Sequence, residues 1–281
     1  MSKCCFIHFK PTRYKEPDNI NEDLNLVIDD IKLKKVKKAK FLGVIIDENL
    51  TWVEHVKNLK RNLNYATATL NRIKDSLPSY LHKEIYYTLF ESHMSYCISV
   101  WGGAAQSILT PIWMSQKHCI RVLFGDKEAY LDKFKTCVRA RPIESQVLDC
   151  SFYEREHTKP LFKQNNILSL HNLYNYHCFM ETFKILKLRI PIVFHSQYHI
   201  AFKKHTRLIP PIPSPNFLYR SSIIWNKVSQ KLKLFDYSTN MSIVRNQMKK
   251  ALLYQQHVEE TIHWTPEDFN IDKIALQTYT R

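Results

Sequence analysis

The stretch "TWVEHVKNLKRNLNYATATLNRIKDSLP", from Thr51 to Pro78, decides the fold. Its apolar residues recur at alternating spacings of three and four: Val56, Leu59, Leu63, Ala66, Leu70 and Ile73. This spacing places them on one stripe of an α-helix. Thr51 or Asn49 is positioned to cap the start of the helix, and Pro78 disfavours helical geometry at Leu77, where the helix should end. The stretch therefore predicts a helix that packs one face against a core.

The opposite face of this helix is rich in cations and amides. It carries Lys57, Lys60, Arg61, Asn64 and Asn71. A charged outer face is usually only solvated. Cations and amides without interleaved acids also suit the phosphates of a nucleic-acid backbone. The sequence alone leaves both interpretations open.

The residues before Thr51 have strand character. Short apolar or β-branched segments occur in "KCCFIHF", "LVID", "IKL" and "KFLGVIID". Asp29 and Asp30 fall between "LVI" and "IKL", where aspartate suits a two-residue hairpin loop because it tolerates left-handed backbone. A pair of aspartates can also hold two magnesium ions in a polymerase. The position between two strands favours the turn.

Two further helices are predicted after Pro78. "SYLHKEIYYTLFESHMSYCISVWG" is apolar nearly all round, which indicates a core helix that ends at Gly102 and Gly103. In "LTPIWMSQKHCIRVLFG", Gln116, Lys117 and Arg121 are expected to point outward. The inward residues of that helix should be Ile112, Cys119, Ile120 and Leu123.

The rest of the chain, residues 126–281, reads as more amphipathic helices. The segment "IPPIPSP", from Ile209 to Pro215, interrupts them as a stiff extended connector. The predicted fold class is α+β and mostly α, with a small N-terminal β hairpin region followed by helices. Its parts are residues 1–50, 51–126 and 127–281.

The charge balance of the whole chain is strongly basic. There are 41 Lys and Arg against 26 Asp and Glu, a formal net charge of +15, and the pI is near 9.4. Such values are typical of nucleic-acid-binding domains, although a soluble basic protein or one resting on an anionic membrane would share them. Aromatic and amide residues interleave with the cations, which favours nucleic acid. The chain has only four glycines, which argues against a glycine-rich phosphate-binding loop.

Cysteine and histidine spacing points to no disulfide framework and no metal site. The seven cysteines form no CxxC pair, and they read as buried thiols of an intracellular protein in the cytoplasm or nucleus. His195 and His199 lie four apart, but no cysteine or carboxylate accompanies them at zinc spacing. No apolar run approaches the roughly 18 residues of a membrane span, so a membrane is not expected as a partner.

Several phrases resemble, in order, the end of a non-LTR retrotransposon reverse transcriptase of the jockey-like kind. They are "KFLGVIIDENLTWVEHV", "IKDSLPSYLHKEIYYTLFESHMSYCISVWGG" and "QKHCIRVLFG". Further on, "HTKPLFKQNNILSLHNLY" and "SSIIWNKVSQKLK" are similar to that family's C-terminal region. The resemblance spans most of the chain.

The resemblance implies a binding role for the first two parts of the chain. Residues 1–50 would be a palm remnant whose primer-grip strand contains Phe41, Leu42, Gly43 and Val44, and residues 51–126 would be the thumb. The hairpin should lie against the first thumb helix, with Phe41 and Val44 or Ile45 partly buried. Gly43 should let the backbone approach the primer end closely. The implied partner is an RNA or DNA template/primer duplex.

The resemblance also implies that this chain lacks the polymerase's catalytic residues. In the family, the palm carboxylates and their Mg²⁺ come earlier and would precede Met1. Lys3 lies at a lysine position of the family, thought to protonate the leaving pyrophosphate, whereas Ser2 and Cys4 depart from its pattern. The expectation is a fragment of an RNA-directed DNA polymerase with no catalytic residues, no metal site and no cofactor of its own. Its oligomeric state stays open.

Two other classes of function remain as alternatives. The chain could be a host protein that reuses this module for nucleic-acid binding, or a helical scaffold or interaction protein with incidental basic charge. Salt-dependent binding to an RNA–DNA duplex separates both binding roles from the scaffold.

Overall fold

The structure, a computed structural model, is mostly helical with a few short strands. It describes residues 4–9, 26–28, 30–125, 158–202, 206–209, 217–232 and 240–258. The strands are β1 (Cys5–Phe6), β2 (Val27–Ile28), β3 (Ile31–Lys32), β4 (Lys34–Lys35), β5 (Lys38–Phe41), β6 (Val44–Asp47), β7 (His199–Phe202) and β8 (Thr206–Ile209). The α-helices are α1 (Val53–Ile73), α2 (His82–Ile85), α3 (Ser92–Ser95), α4 (Ile98–Trp101), α5 (Gln106–Phe124), α6 (Lys159–Gln164), α7 (Leu170–Leu188), α8 (Ile192–Gln197), α9 (Phe217–Leu232) and α10 (Met241–Val258). The predicted α+β, mostly α class is confirmed.

The described strands form two-stranded ribbons rather than one large sheet. β1 pairs with β4 in parallel, whereas β2–β3, β5–β6 and β7–β8 are antiparallel. Ile28 lies opposite Ile31, so the chain turns between them, and Asp30 has the left-handed φ of 60° that aspartate tolerates. The turn interpretation is confirmed for Asp30, and Asp29 lies outside the described residues.

Helix α1 buries the predicted apolar stripe. Its buried apolar residues are Val56, Leu59, Leu63, Ala66 and Leu70. They pack mainly against α5 and also against β6 and a π-helix at Tyr86–Glu91. A short 3₁₀ turn follows α1, and the backbone is extended at Leu77, as Pro78 requires.

The loop that leads into α1 is held by a residue that the sequence did not single out. Helix α1 begins after Trp52, so the predicted N-cap position was wrong for both Thr51 and Asn49, although Thr51 Oγ1 accepts a hydrogen bond from the N–H of Val53 at 3.5 Å. Instead the Asp47 carboxylate accepts hydrogen bonds from the backbone N–H groups of Asn49, Thr51 and Trp52 at 3.2, 3.0 and 3.0 Å. The carboxylate of β6 thus ties the hairpin to the helix and places negative charge at its N-terminus.

The expected single core helix over residues 79–102 is broken into short pieces. A 3₁₀ turn, α2, the π-helix at Tyr86–Glu91, α3 and α4 follow one another. The chain bends between α3 and α4, where Tyr96 is extended and Cys97 has a φ of 51°. Trp101 Nε1 donates to the carbonyl of Tyr96 across the bend at 2.9 Å. The pieces keep one buried side, and Gly102 follows α4 as predicted.

The C-terminal helices pack on the same core. Trp225 of α9 stacks on Phe179 and Phe183 of α7, with ring centroids 5.0 and 6.3 Å apart. One buried apolar cluster runs from Val56 to Leu252. The β7–β8 ribbon corrects the expectation that everything after residue 126 is helical. Of the predicted connector, Ile209 lies in β8 and residues 210–215 lie outside the described part of the chain.

Candidate nucleic-acid interface

The ribbons before α1 present a dense group of exposed cations. These hairpin lysines are Lys32, Lys34, Lys35, Lys37, Lys38 and Lys40, and all six are exposed. Between residues 30 and 46 the only acidic residue is Asp30. Lys38 and Lys40 alternate with Ala39 along β5, so both project from the same face of that strand. The ribbons therefore carry a strongly positive edge.

The face of α1 opposite its buried stripe is exposed as predicted. This α1 face consists of Lys57, Lys60, Arg61, Asn64 and Asn71, all of them exposed. It extends over about 20 Å of helix at 1.5 Å per residue. Arg72 is exposed too and lies eleven residues after Arg61, which puts it on nearly the same side of the helix. The eleven-residue spacing is the sequence signal from which Arg72 could have been assigned to the α1 face.

Glu54 joins the hairpin lysines to the α1 face. Its carboxylate contacts Lys38 Nζ at 3.3 Å and Lys57 Nζ at 2.8 Å. Hydrogen bonds from Lys57 and Lys38 hold the pKa of Glu54 below its usual value. The expectation that no acid interleaves with these cations was wrong at this point. Since all three groups are largely exposed, the contacts are weak and leave both lysines able to exchange Glu54 for a phosphate.

The residues of the expected primer-grip strand form a hairpin tip instead of one strand. β5 ends at Phe41 and β6 begins at Val44, with Leu42 and Gly43 as the turn between them. Val44 is buried at 6% exposure, as expected, but Phe41 is 65% exposed because it sits at the end of the ribbon. The prediction that Phe41 is partly buried was wrong.

The hairpin tip is docked by one tyrosine. Tyr96 Oη donates to the carbonyl of Leu42 at 2.6 Å. Gly43 has a φ of 85°, and a Cβ there would lie 3.4 Å from the Tyr96 ring. The turn thus needs glycine for its backbone conformation, whereas a Cβ at this position would make an ordinary van der Waals contact with Tyr96.

An open groove runs between α1 and the segment from the π-helix to the bend. One end, of about 320 Å³, lies at the hairpin tip and includes Lys40, Asn58 and Tyr96. The other end, of about 390 Å³, includes Tyr65. Both ends share Asn62 and His93 in their walls, so the two hollows adjoin, and together they are called here the central groove.

His55 fixes the inner wall of this groove. Its Nδ1 accepts a hydrogen bond from the backbone N–H of Ile45 at 3.4 Å, and its ring lies 5.6 Å from that of Trp101. Burial lowers the pKa of His55, which favours the neutral ring that this acceptor role needs. Together with the hydrogen bonds that Asp47 accepts from the loop before α1, it holds the hairpin in a fixed position on α1.

Gln116 is not part of any exposed surface. The sequence placed it outward, but it is completely buried. Its Nε2 donates to Tyr86 Oη and to the carbonyl of Leu168, both at 2.9 Å, and its Oε1 accepts from Leu170 N at 2.8 Å. These partners lie 30 to 54 residues away in the chain.

The other two residues placed outward on α5 are only half exposed. Lys117 lies with Nζ 4.8 Å from the centroid of the Trp113 ring, and burial lowers its pKa. Arg121 is likewise of intermediate exposure. Helix α5 therefore offers little to a large partner compared with the α1 face.

The structure gives mixed results for the cysteine prediction. Cys119 and Cys178 are buried, and burial raises the pKa of each thiol to about 12. Cys4 and Cys5 are exposed, so the prediction of buried thiols was wrong for them. Within the described ranges, no group of three or more His, Cys, Asp or Glu could hold a metal ion. No helix in the described part of the chain is both long and apolar enough to cross a membrane.

Comparisons of this chain with protein-family models, with curated proteins and with solved structures found no match. A role for the basic surface therefore depends on its own charge and geometry and on the sequence phrases quoted above.

Proposed function

We propose that this chain binds the sugar–phosphate backbone of a nucleic-acid duplex through the hairpin lysines and the α1 face. The observation that supports this best is the position of Glu54, which contacts Lys38 on one side and Lys57 on the other. It makes the two groups of cations neighbours, so a single backbone can contact both.

The geometry of the surface suits phosphates better than bases. The α1 face is a straight helical ridge about 20 Å long. A duplex carries one phosphate charge for each 1.7 Å or so of its axis, so such a ridge faces several phosphates. Cations and amides arranged this way position a duplex without reading its sequence.

The resemblance to a jockey-like reverse transcriptase supplies the identity of the duplex in this proposal. The chain would hold the template and primer of an RNA-directed DNA polymerase rather than carry out the polymerisation. Near the hairpins, Asp30 lies in a turn and the Asp47 carboxylate is engaged by backbone N–H groups of the loop before α1. The same surface would serve equally in a host protein that reuses the module for binding.

A protein-interaction role is the second candidate, and a different observation favours it. Apolar side chains are exposed from the last residue of α7 through the first turn of α8: Leu188, Ile190, Ile192, Val193 and Phe194. Exposed apolar groups of this kind mark sites of protein association. The interaction role becomes the better assignment if the wild type binds no duplex.

The test of duplex binding is its dependence on salt. Each cation that neutralises a phosphate releases counterions, so log affinity falls linearly with log salt concentration. Replacing Lys57, Lys60 and Arg61 with alanine should make this slope shallower by about two to three and weaken binding equally for all duplex sequences. Binding of a blunt RNA–DNA duplex is measured at several salt concentrations, with circular dichroism melts alongside.

A matched control separates this surface from net charge alone. Lys163, Arg245 and Lys250 are exposed on α6 and α10, and their triple alanine variant removes the same charge from elsewhere. Its slope should equal that of the wild type. Equal slopes for the two triple variants would show that the α1 face is only solvated.

A further inference from the structure

The central groove is distinct from the basic surface on α1. Lys60 and Asn64 lie two residues to either side of Asn62, so at 100° per residue they point about 160° away from it around the helix. Asn62 lines the groove, whereas Lys60 and Asn64 belong to the α1 face. The side of the α1 face with Lys60 and Asn64 therefore leaves the groove open, and Arg61, which donates to Asn58 of the groove wall at 2.8 Å, lies at the border between the two.

The groove contains hydrogen-bonding groups that are not used by the fold. Among the described residues, neither the Asn62 amide nor the His93 ring has a hydrogen-bond partner. Two neighbours in the walls are engaged: Asn58 accepts from Arg61 at 2.8 Å, and Tyr96 donates to Leu42. An amide offers donors and an acceptor side by side, the combination that pairs with the edge of a nucleobase.

An exposed aromatic ring stands beside these groups. Tyr65 lines the groove and is 69% exposed. Every base has a π-face, so stacking on such a ring accepts any base. Polar groups in the walls and an exposed aromatic ring beside them together suit a flat, polar, aromatic ligand.

The groove also opens onto the hairpin lysines. Lys40 forms part of its wall at the hairpin tip, and Lys38 lies on the same face of β5. A nucleic-acid backbone that follows these two lysines reaches the mouth of the groove. The volume of about 320 Å³ at this end lies within the range of small-ligand sites.

We infer that the central groove binds one unpaired base that extends from the duplex held on the basic surface. This inference rests on the proposed function and assigns a second contact to it. The backbone next to the unpaired base lies on Lys40, the base stacks on Tyr65, and its edge meets Asn62 and His93.

The experiment compares a blunt RNA–DNA duplex with the same duplex carrying a short single-stranded overhang on either end. The first unpaired position holds 2-aminopurine, whose fluorescence falls when it stacks. One overhang should bind about tenfold more tightly than the blunt duplex, in line with the stacking of one base, and its fluorescence should be quenched. Tyr65→Ala and Asn62→Leu should remove most of this gain and leave the blunt duplex bound as before.

Matched variants exist for both residues. Asn246→Leu changes the same residue type at an exposed position on α10, and Tyr254→Ala removes an equally exposed tyrosine on the same helix. Both should keep the full gain. Asn62→Asp, which preserves the shape of the side chain, supplies a second variant if Asn62→Leu lowers the melting temperature.

The outcomes separate the inference from the proposed function. A blunt duplex that binds with the predicted salt dependence while neither overhang adds affinity overturns the inference alone. A gain that survives in folded Asn62→Asp and Tyr65→Ala overturns it as well. Failure of blunt and overhanging duplexes alike to bind overturns both proposals.

Discussion

Replacing Glu91 with glutamine should change how the stability of this protein depends on pH. Glu91 ends the π-helix at Tyr86–Glu91, and among the described residues its Oε2 has no hydrogen-bond partner. Burial raises the pKa of Glu91 from 4.5 to about 7, although Lys249 of α10 partly opposes the shift. A buried carboxyl of this kind favours its protonated form.

The size of the effect follows from the two pKa values. The unfolded chain releases the proton near pH 4.5, whereas the folded protein keeps it until about pH 7. The contribution of protonated Glu91 to the free energy of unfolding is therefore fully present below pH 4.5 and is lost as pH rises through 7. Between pH 5 and 8 this lowers the free energy of unfolding by about 2.5 kcal/mol. Glutamine does not titrate, so the variant lacks this loss.

The assay is urea unfolding of the wild type and Glu91→Gln at pH 5, 6, 7 and 8, followed by circular dichroism and tryptophan fluorescence. Other buried groups titrate as well: burial lowers the pKa of His171 to about 4, for example. Their contributions cancel in the difference between the two proteins. The free energy of unfolding of Glu91→Gln minus that of the wild type should increase by about 2.5 kcal/mol from pH 5 to pH 8.

A control on the same segment is Glu84→Gln, because Glu84 is exposed. Its pH profile should run parallel to that of the wild type. A constant difference between wild type and Glu91→Gln across the four pH values would refute the reasoning, since it would show that Glu91 ionises at the same pH in the folded and unfolded chains.

Three further changes test other parts of the structure. Glu54→Gln removes the acid between Lys38 and Lys57 and should strengthen duplex binding by up to about fivefold at low salt. The gain should vanish at high salt. Weaker binding by the variant would contradict a single surface formed by the hairpin lysines and the α1 face. Gln116→Leu leaves buried partners of Gln116 unsatisfied and should lower the free energy of unfolding by about 2–5 kcal/mol in urea; a loss below about 1 kcal/mol would mean that water replaces the amide. Gly43→Ala places a side chain on left-handed backbone and should lower the free energy of unfolding by about 1–2 kcal/mol; an unchanged urea midpoint would contradict the left-handed turn at Gly43.

The sequence by itself determined the features that depend on neighbouring residues. The three-and-four spacing from Val56 to Leu70 defines which side of α1 is buried, because an α-helix repeats every 3.6 residues whatever it packs against. The exposure of the α1 face follows from the same periodicity. Asp30 lies in a turn because its side chain and backbone favour that local conformation.

Only the tertiary structure decided which polar groups are buried and which distant cations meet. Gln116 carries no local sign of burial, since its partners Tyr86, Leu168 and Leu170 are brought to it by packing. The break between α3 and α4 likewise depends on how the residues around it pack, which an all-round apolar pattern does not specify.

The same limit applies to the candidate sites. Glu54 stands between Lys38 and Lys57 because Asp47 and His55 anchor the hairpin on α1, a contact that no periodicity encodes. The central groove is bounded by α1 at Asn62 and by the bent segment at His93, two residues 31 positions apart in the chain. Helical spacing fixes the direction of each side chain around its own helix, whereas the position of a second element depends on packing and hydrogen bonds between residues far apart in the chain.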